Sequence, residues 1–420
     1  MPSQANAQSI ALQLEKVRPK VPVLFERDDI LLTLIQKRGD VEKVSSRSMR
    51  VPLQIRPGGK AAQHTMDGDD LGLGSGSVYD VATLTPVFQT FAVQINKLVE
   101  YATTGNERAV ENATKREVAS GMKQFRWFLD TLLQTNGNGV IGSIASFAST
   151  TWTLATPPGA QLFYYNQDVQ VYDSTLTTNR GTATIQSVDP LNKTITVNAN
   201  PGGLANGDLI VPAGLSGSQP VSVFGVKYHH LDSVSGTWLG LSRATYPEAL
   251  RTPHFAAGNA ALVPANIRLA TNKLRKVLGT DVLSREKLIA YMSPEQEHAW
   301  EQLGVTISEI VRNQVPADSG MPDLLFNQNV DKRMAGVPIK TSIHADPTRI
   351  DFIALARWGR AVMKEIDFYE IGGQTVFPVY GASGGLASSY LFYFTTGFQI
   401  WMDGPRYGAY VDQLAVPSGY

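Results

Sequence analysis

The stretch Met49–Ile95 reads MRVPLQIRPGGKAAQHTMDGDDLGLGSGSVYDVATLTPVFQTFAVQI and belongs to the most informative part of the chain. Apolar and polar residues alternate at its start, which is typical of a strand with one buried face. The alternation puts Met49, Val51, Leu53 and Ile55 on one face and Arg50, Pro52, Gln54 and Arg56 on the other. A glycine-rich segment, Pro57–Ser77, follows, and a second strand begins at Val78. The pattern predicts a long β-hairpin with a glycine-rich tip.

A two-stranded arm of this length is marginal in water when it stands alone. It therefore needs a surface to lie on, which either its own chain or a neighbouring copy must supply. We expect a neighbouring copy, as in an assembling protein and not a self-contained enzyme.

A long amphipathic helix is predicted over residues 106–134, NERAVENATKREVASGMKQFRWFLDTLLQ. Asn106 is a suitable N-cap, and Glu111 with Lys115 forms a favourable i,i+4 pair. About 28 residues at ~1.5 Å each give a rod of roughly 42 Å. The apolar stripe consists of Val110, Ala113, Val118, Met122, Phe125, Leu129 and Leu132.

Length and composition set limits on the number of domains and on the classes of protein to which the chain could belong. A chain of 420 residues predicts about two to four domains. Its 37 basic and 37 acidic residues balance, so it lacks the basic excess of a protein that mainly binds nucleic acid. Weak net repulsion permits self-association. The absence of cysteine excludes disulfides and thiolate chemistry.

The first 45 residues predict a mostly helical arm. Ile10, Leu14 and Val17 have helical spacing, and a second helix starts near Asp28 or Asp29. The start lacks the basic and apolar regions of a secretory signal, and no apolar run is long enough for a bilayer. We therefore expect a soluble protein made in a cytoplasm.

The pattern of apolar, polar and turn-forming residues changes along the rest of the chain. Residues 140–160 read as a loop, and short alternating runs over 161–226 predict a small inserted β-barrel or sandwich. Helix and strand alternate from Ala265 to Gln314, where one helix face consists of Ile267, Ala270, Leu274, Val277 and Leu278 and is followed by Gly279. A buried strand covers Leu288–Met292, and Ser293 starts another helix. Later strands are predicted at Val337–Ile343, Ile350–Leu355, Val376–Tyr380, Tyr390–Met402 and Tyr407–Leu414.

Candidate catalytic motifs have simpler structural interpretations. Gly381–Gly385 matches G-x-S-x-G around Ser383, but a strand follows it where a nucleophile elbow needs a helix, and no histidine lies after His344. Gly72–Ser77 lacks the third glycine of a dinucleotide loop. His229, His230, Asp232 and His254 have no zinc-type spacing. We expect no enzymatic activity, cofactor or metal site.

The order of elements resembles the major capsid protein of tailed bacteriophages, which has the Hong Kong 97-like fold. The residues that carry the resemblance are Thr85–Val93 before the long helix, Ala335–Ser342, Ile350–Leu355, Trp358–Ala361 and the C-terminal segment around Pro405. The resemblance implies an α+β capsid fold with a small all-β insertion domain. The implied domains are an N-terminal arm (1–45), an extended hairpin loop (46–86), a peripheral domain (87–139 and 336–420) with spine helix 106–134, and an axial domain (140–335) containing the β insertion (161–226).

The resemblance also implies a structural function. The chain would self-assemble into pentamers and hexamers of an icosahedral head around double-stranded DNA, located in the virion capsid and assembled in the host bacterial cytoplasm. Scaffolding, portal and decoration proteins would be its partners, DNA contact would be non-specific, and no membrane would be involved. The alternatives are an encapsulin-type compartment or another phage structural protein, from the tail or a decoration; mutation of Ser383 would test a hydrolase.

Inter-subunit contacts are expected on the hairpin. Its polar face carries Arg50 and Arg56, and its tip carries acidic residues that suit a basic partner surface. The predicted contact residues are Arg50, Arg56, Lys60, Asp67, Asp69, Asp70 and Leu71. Some members of the family cross-link subunits through a lysine and an asparagine; nothing near Lys60 predicts that reaction here.

Overall fold

The computed structural model describes residues 29–38, 42–43, 48–64, 73–97, 113–155, 159–214, 220–303, 333–381 and 384–418. This part of the chain is mostly strands with a few helices. The strands are β1 (Glu42–Lys43), β2 (Met49–Arg56), β3 (Val78–Leu84), β4 (Val87–Asn96), β5 (Gly142–Ala148), β6 (Thr151–Leu154), β7 (Asp168–Tyr172), β8 (Asn179–Asp189), β9 (Thr194–Val197), β10 (Leu209–Pro212), β11 (Thr237–Trp238), β12 (Leu241–Ser242), β13 (His254–Ala260), β14 (Leu288–Met292), β15 (Arg333–Met334), β16 (Val337–Thr341), β17 (Ile350–Ala354), β18 (Trp358–Phe368), β19 (Phe377–Tyr380), β20 (Leu386–Met402) and β21 (Ala409–Leu414). The helices are α1 (Ile30–Leu34), α2 (Ala113–Leu132), α3 (Val226–His229), α4 (Pro247–Leu250), α5 (Pro264–Leu278) and α6 (Val282–Arg285), and residues 294–303 are also helical.

The chain divides into two compact units. The first comprises the described parts of residues 1–33, 86–130 and 362–398, and the second comprises the described parts of 34–85, 131–361 and 399–420. Strand β20 and helix α2 each cross from one unit into the other. These are spatial groupings, and the arm, loop, peripheral and axial assignment stays a prediction.

In the first unit, helix α2 packs on a four-stranded antiparallel sheet. Strand β4 pairs with β20 through ten consecutive residue pairs, from Val87 opposite Phe398 to Asn96 opposite Ser389. The rings of Phe91, Phe125 and Phe394 pack together between helix and sheet. Phe125, which belongs to the apolar stripe predicted for the long helix, therefore packs against the sheet.

The end of the long helix differs slightly from the prediction. The described part of the helix covers Ala113–Leu132 and ends two residues before Gln134. Asn106 and Val110 lie outside the described residues. The last turns are also more apolar than one stripe requires, because Trp127 and Phe128 are buried beside Leu129.

A closed barrel with strand order β10-β5-β6-β9-β8-β7 follows α2 in the second unit. Strands β7 to β10 coincide with the runs that predicted a barrel or sandwich. The prediction of a loop over 140–160 was wrong, because this segment supplies β5 and β6. The barrel therefore spans Gly142–Pro212, beginning earlier and ending earlier than the predicted insertion 161–226.

A mixed six-stranded sheet with order β13-β21-β17-β14-β16-β15 forms the largest core of the second unit. Strands β14 and β17 are buried throughout, as expected of strands in the middle of a covered sheet. Helix α5 covers the sheet with Ile267, Ala270 and Leu274, and ends before Gly279 at φ 110°. The apolar face of this helix and the glycine after it were predicted, although Val277, which was assigned to that face, is 48% exposed. Strands β13 and β18 were not predicted.

Candidate assembly surface

The β2–β3 hairpin of the second unit is the candidate assembly element. Its strands pair from Met49 opposite Leu84 to Arg56 opposite Val78, with a register shift between Gln54 and Arg56. Met49, Val51 and Leu84 on the inner face are buried. The alternation of β2 was therefore interpreted correctly, and the hairpin has one covered face.

Residues 237–250 of the same chain supply the surface under this inner face. Thr83 donates its backbone N–H to the carbonyl oxygen of Leu239 at 2.8 Å. Tyr246 donates its hydroxyl hydrogen to Asp80 Oδ2 at 2.9 Å, and this bond raises the pKa of Tyr246. The expectation that a neighbouring copy supplies the surface under the hairpin was therefore wrong for its base.

The outer face of the hairpin remains open, and it is partly apolar. Tyr79 is 69 % exposed and Val81 is 41 % exposed. Across the ladder, Val81 lies opposite Pro52 and Tyr79 lies opposite Gln54. We call Pro52, Tyr79 and Val81 the outer patch. Apolar cross-strand neighbours on an exposed face are typical of a contact surface.

Beyond the last residue pair of β2 and β3, the two described chain segments stay close to each other and are exposed to solvent. Gly58 donates its N–H to Ser77 Oγ at 3.0 Å, and Gly59 donates its N–H to the carbonyl oxygen of Ser75 at 2.7 Å. A Cβ on Gly58 would lie 2.6 Å from the backbone nitrogen of Ser77, so a larger residue would force the strands apart. Residues 57–64 and 73–77 are all exposed.

The predicted contact residues occupy different places. Arg50 and Lys60 are exposed on the hairpin. Arg56 forms a salt bridge with Glu248 and donates to the carbonyl oxygen of Thr245 at 3.0 Å, so it already has partners within the chain. Asp67, Asp69, Asp70 and Leu71 lie outside the described residues. The inter-subunit roles of all seven stay predictions.

The end of the predicted N-terminal arm contacts its own chain within each unit. In the first unit, Leu32 donates its N–H to Asp130 Oδ1 at 2.7 Å, and Asp29 pairs with Arg126 at 2.5 Å. In the second unit, Arg38 pairs with Asp403 at 2.9 Å, and its guanidinium lies 4.6 Å from the ring centre of Trp401. Residues 29–38 are therefore docked.

Two adjacent histidines, His229 and His230, form a buried polar cluster, in agreement with the prediction that they are structural or surface residues and not zinc ligands. The indole N–H of Trp238 donates to His229 Nδ1 at 3.1 Å, so the proton of His229 sits on Nε2 and is donated to the carbonyl oxygen of Ile400 at 3.2 Å. Burial, reinforced by the charge of neighbouring His230, lowers the pKa of His229 to about 3. His229 is thus neutral at physiological pH.

His230 belongs to a buried charged network. Its Nδ1 lies 2.8 Å from Asp351 Oδ1, and Arg349 donates to both oxygens of Asp351 at 2.8 Å. Burial opposes ionisation of Asp351, but Arg349 and His230 more than offset this and hold its pKa at about 2. Both histidines are fully buried. The cluster therefore has a structural role and is not a site open to substrate.

Other sequence motifs have structural roles. Gly381 donates its N–H to the carbonyl oxygen of Gly385 at 2.8 Å, and Tyr380 pairs with Leu386, so Gly381–Gly385 connects two antiparallel strands. This agrees with the predicted hairpin loop, while Ser383 itself lies outside the described residues. Within the described residues there is no grouping of three or more potential metal ligands.

No helix of the described ranges is long and apolar enough to cross a membrane.

Comparison with solved structures identifies the fold. The chain is similar to one from the cyanophage A-1(L) capsid asymmetric unit, with a TM-score of 0.55, 13% identity, and 95% of this chain and 96% of that chain covered. The capsid of Myoviridae phage XM1 matches with a TM-score of 0.47 and 9% identity over 96% of this chain and 97% of that one. The holo-SrpI encapsulin of Synechococcus elongatus PCC 7942 matches with a TM-score of 0.46 and 11% identity over 100% and 99%.

No known family profile matches the sequence, and no curated protein is similar to it. The fold assignment therefore rests on the match to the cyanophage capsid chain, which covers nearly all of both chains. The expected capsid-protein fold is confirmed at this level: a mixed α and β chain, mostly sheets, that is shared with a phage capsid.

Proposed function

We propose that this chain is the structural major capsid protein of a tailed bacteriophage, located in the virion capsid after assembly in the host bacterial cytoplasm. The observation that carries the proposal is the near full-length similarity to a chain of the cyanophage A-1(L) capsid. The partly apolar outer patch supports it, because a shell subunit needs exposed surface that a second copy can cover.

In this proposal the elements have the roles of a Hong Kong 97-like subunit. Residues 1–45 are the N-terminal arm and 46–86 are the extended loop. Residues 87–139 and 336–420 are the peripheral domain with spine helix 106–134, and 140–335 are the axial domain. The barrel Gly142–Pro212 is the insertion within the axial domain.

Assembly is the mechanism we infer. The anchored base fixes the direction of the hairpin, and the outer patch lies on the next copy in a pentamer or hexamer. Burying one large apolar side chain contributes roughly 1.5–3 kcal/mol, whereas an exposed ion pair contributes about 0–1 kcal/mol. Apolar contact thus supplies most of the affinity, and Arg50, Lys60 and the acidic tip set the register.

Scaffolding, portal and decoration proteins are the partners that we propose. Packaged double-stranded DNA is the other partner, contacted without sequence specificity. The balanced charge of the chain fits a wall that holds DNA loosely, because phosphate affinity grows with the number of basic contacts.

Expression of the full chain, with and without other head proteins, tests the proposal by electron microscopy and sedimentation. Closed icosahedral particles are expected. A protein that stays monomeric under every condition would contradict it, and shells loaded with a cellular protein in place of DNA would identify a compartment.

A further inference from the structure

Helix α5 is strongly basic in a chain of balanced charge. Its 15 residues, PANIRLATNKLRKVL, contain four basic residues and no carboxylate. The basic residues are Arg268, Lys273, Arg275 and Lys276, and all four are exposed. A solvated helix of this length normally carries both signs, because i,i+4 ion pairs and acids in the first turn stabilise it. Because α5 has no acidic residue, neither of these two contributions stabilises it.

The basic side chains concentrate on the face that points away from the core. The helix buries Asn266, Ile267, Ala270, Thr271 and Leu274 against the six-stranded sheet. Residues Arg268, Asn272 and Lys276 have four-residue spacing and form the row opposite the buried face. This row is about 12 Å long, at ~1.5 Å per residue. Arg275 lies beside it.

The carboxylates that the structure describes on the elements packed against α5 have partners other than this row. Helix α5 packs against β13, β21, α6 and the turn Pro405–Tyr407. On these elements and their flanking residues, Asp412 pairs with His254 at 2.8 Å and Asp281 lies 3.5 Å from Arg285. Glu286 pairs with Arg357 at 2.7 Å. Among the described residues, Arg268 and Lys276 make no ion pair or hydrogen bond of their side chains.

We propose that the outward face of α5, formed by Arg268, Asn272, Arg275 and Lys276, binds the phosphate backbone of packaged double-stranded DNA. This assignment rests on the proposed function and adds that α5 faces the interior of the shell. Arginine, lysine and asparagine are common donors to phosphate oxygens, and such contacts carry no sequence information. Duplex DNA presents one charge per ~1.7 Å of axis, so a row of this length meets several phosphates in any register.

Exposed apolar residues on one flank of the helix raise the competing assignment, a contact with another protein subunit. Leu269 and Val277 are both about half exposed. The centre of the outward face is cationic and polar, however, and its uncompensated charge is complementary to a polyanion. Charge is commonly depleted at the core of a protein–protein interface, so DNA fits this face better.

Binding of a short mixed-sequence duplex DNA by unassembled full-length subunits tests the proposal across salt from about 50 to about 200 mM. The triple variant Arg268→Gln, Arg275→Gln, Lys276→Gln is compared with Lys193→Gln, Lys340→Gln, Lys364→Gln, which removes the same charge from other elements. Each lost phosphate contact flattens the plot of log affinity against log salt by about 0.9. The α5 variant should lose between about two and three units of slope, and the control should keep the wild-type slope.

Equal loss in both variants, or loss in neither, would overturn the assignment while leaving the shell function intact. A second experiment uses the absence of cysteine from the chain. In intact shells of the Lys276→Cys variant, a large polymer-linked maleimide should react only after the shell is disrupted. Rapid labelling of intact shells would overturn the inward position of α5, and failure to form shells with wild-type protein would refute the proposed function instead.

Discussion

Tyr246 donates its hydroxyl hydrogen to Asp80 Oδ2 at 2.9 Å and so ties strand β3 of the hairpin to a segment 166 residues later. Beside it, Arg56 of β2 forms its salt bridge with Glu248. Both strands of the hairpin are therefore anchored to the same short segment, the N-cap and first turn of helix α4. A fixed base directs the exposed end of the hairpin, which is the property that a subunit-to-subunit contact needs.

Tyr246→Phe tests this anchor. The variant removes one hydrogen bond to a carboxylate without changing the ring, and we expect a free energy of unfolding lower than that of wild type. Chemical denaturation measures the change. Tyr165→Phe is the matched control, because Tyr165 is largely exposed and should change the free energy very little. Equal stability of Tyr246→Phe and wild type would show that the bond does not hold the hairpin.

The outer patch should decide assembly and not folding. The double variant Tyr79→Ser, Val81→Ser should keep the circular dichroism spectrum of wild type, because both side chains are exposed. Each substitution removes apolar burial of roughly 1.5–3 kcal/mol per contact, so particle yield should fall by at least about tenfold.

Leu191→Ser is the control for that variant. Leu191 is 91% exposed on the turn between β8 and β9, so this change removes a large apolar side chain from a different surface. Its particle yield should stay near wild type. Normal particles from the double variant, counted by electron microscopy, would rule out the outer patch as a subunit contact.

Close approach of helix α2 to its sheet depends on Gly121. A Cβ at this position would lie 2.7 Å from Val93 Cγ2 and 3.1 Å from Phe394 Cε2. Gly121→Ala should therefore destabilise the protein by about 1–3 kcal/mol, although alanine favours a helix over glycine. Ser120→Ala, at an exposed position of the same helix, should be neutral or slightly stabilising. A gain of stability in Gly121→Ala would show that helix and sheet are further apart.

Acid should destabilise the fold through His229. Its pKa is about 3 in the folded protein and its ordinary value is 6.5, so the unfolded chain binds more protons between these values. The contribution to stability is fully present above about pH 6.5 and is lost as the pH falls toward 3. At ~1.36 kcal/mol per unit, the loss is on the order of 4 kcal/mol.

Denaturation at a series of pH values measures this loss. The neutral side chain of His229→Gln should give a smaller decrease between pH 6.5 and 3, whereas His298→Gln, which alters a histidine that is not fully buried, should keep the wild-type decrease. If His229→Gln does not fold, the test is the wild-type free energy of unfolding measured between pH 6.5 and 3. Stability that does not fall across this interval would contradict the neutral, buried assignment of His229.

Sequence periodicity predicted the elements whose packing is regular. Strand β2 alternates cleanly, strand β14 is a continuous apolar run, and helix α5 has a clear apolar face followed by a glycine. These signals reflect burial on one face or both, which a linear pattern records. The long helix was predicted for the same reason.

Elements that the sequence analysis missed lack such a pattern. Strands β5 and β6 are rich in serine, threonine, alanine and glycine, so their buried residues Ile144 and Trp152 do not stand out. The partners of His230 and Arg56 could not be predicted, because Asp351 and Glu248 are 121 and 192 residues away along the chain. Long-range partners of polar groups depend on tertiary packing, which periodicity does not encode.

Cryo-electron microscopy of particles assembled from the full chain shows directly what covers the outer patch. We expect closed shells of pentamers and hexamers in which Tyr79 and Val81 of each subunit contact a neighbouring copy. Shells in which these two side chains stay exposed to solvent, or a chain that forms no closed particle, would contradict this expectation.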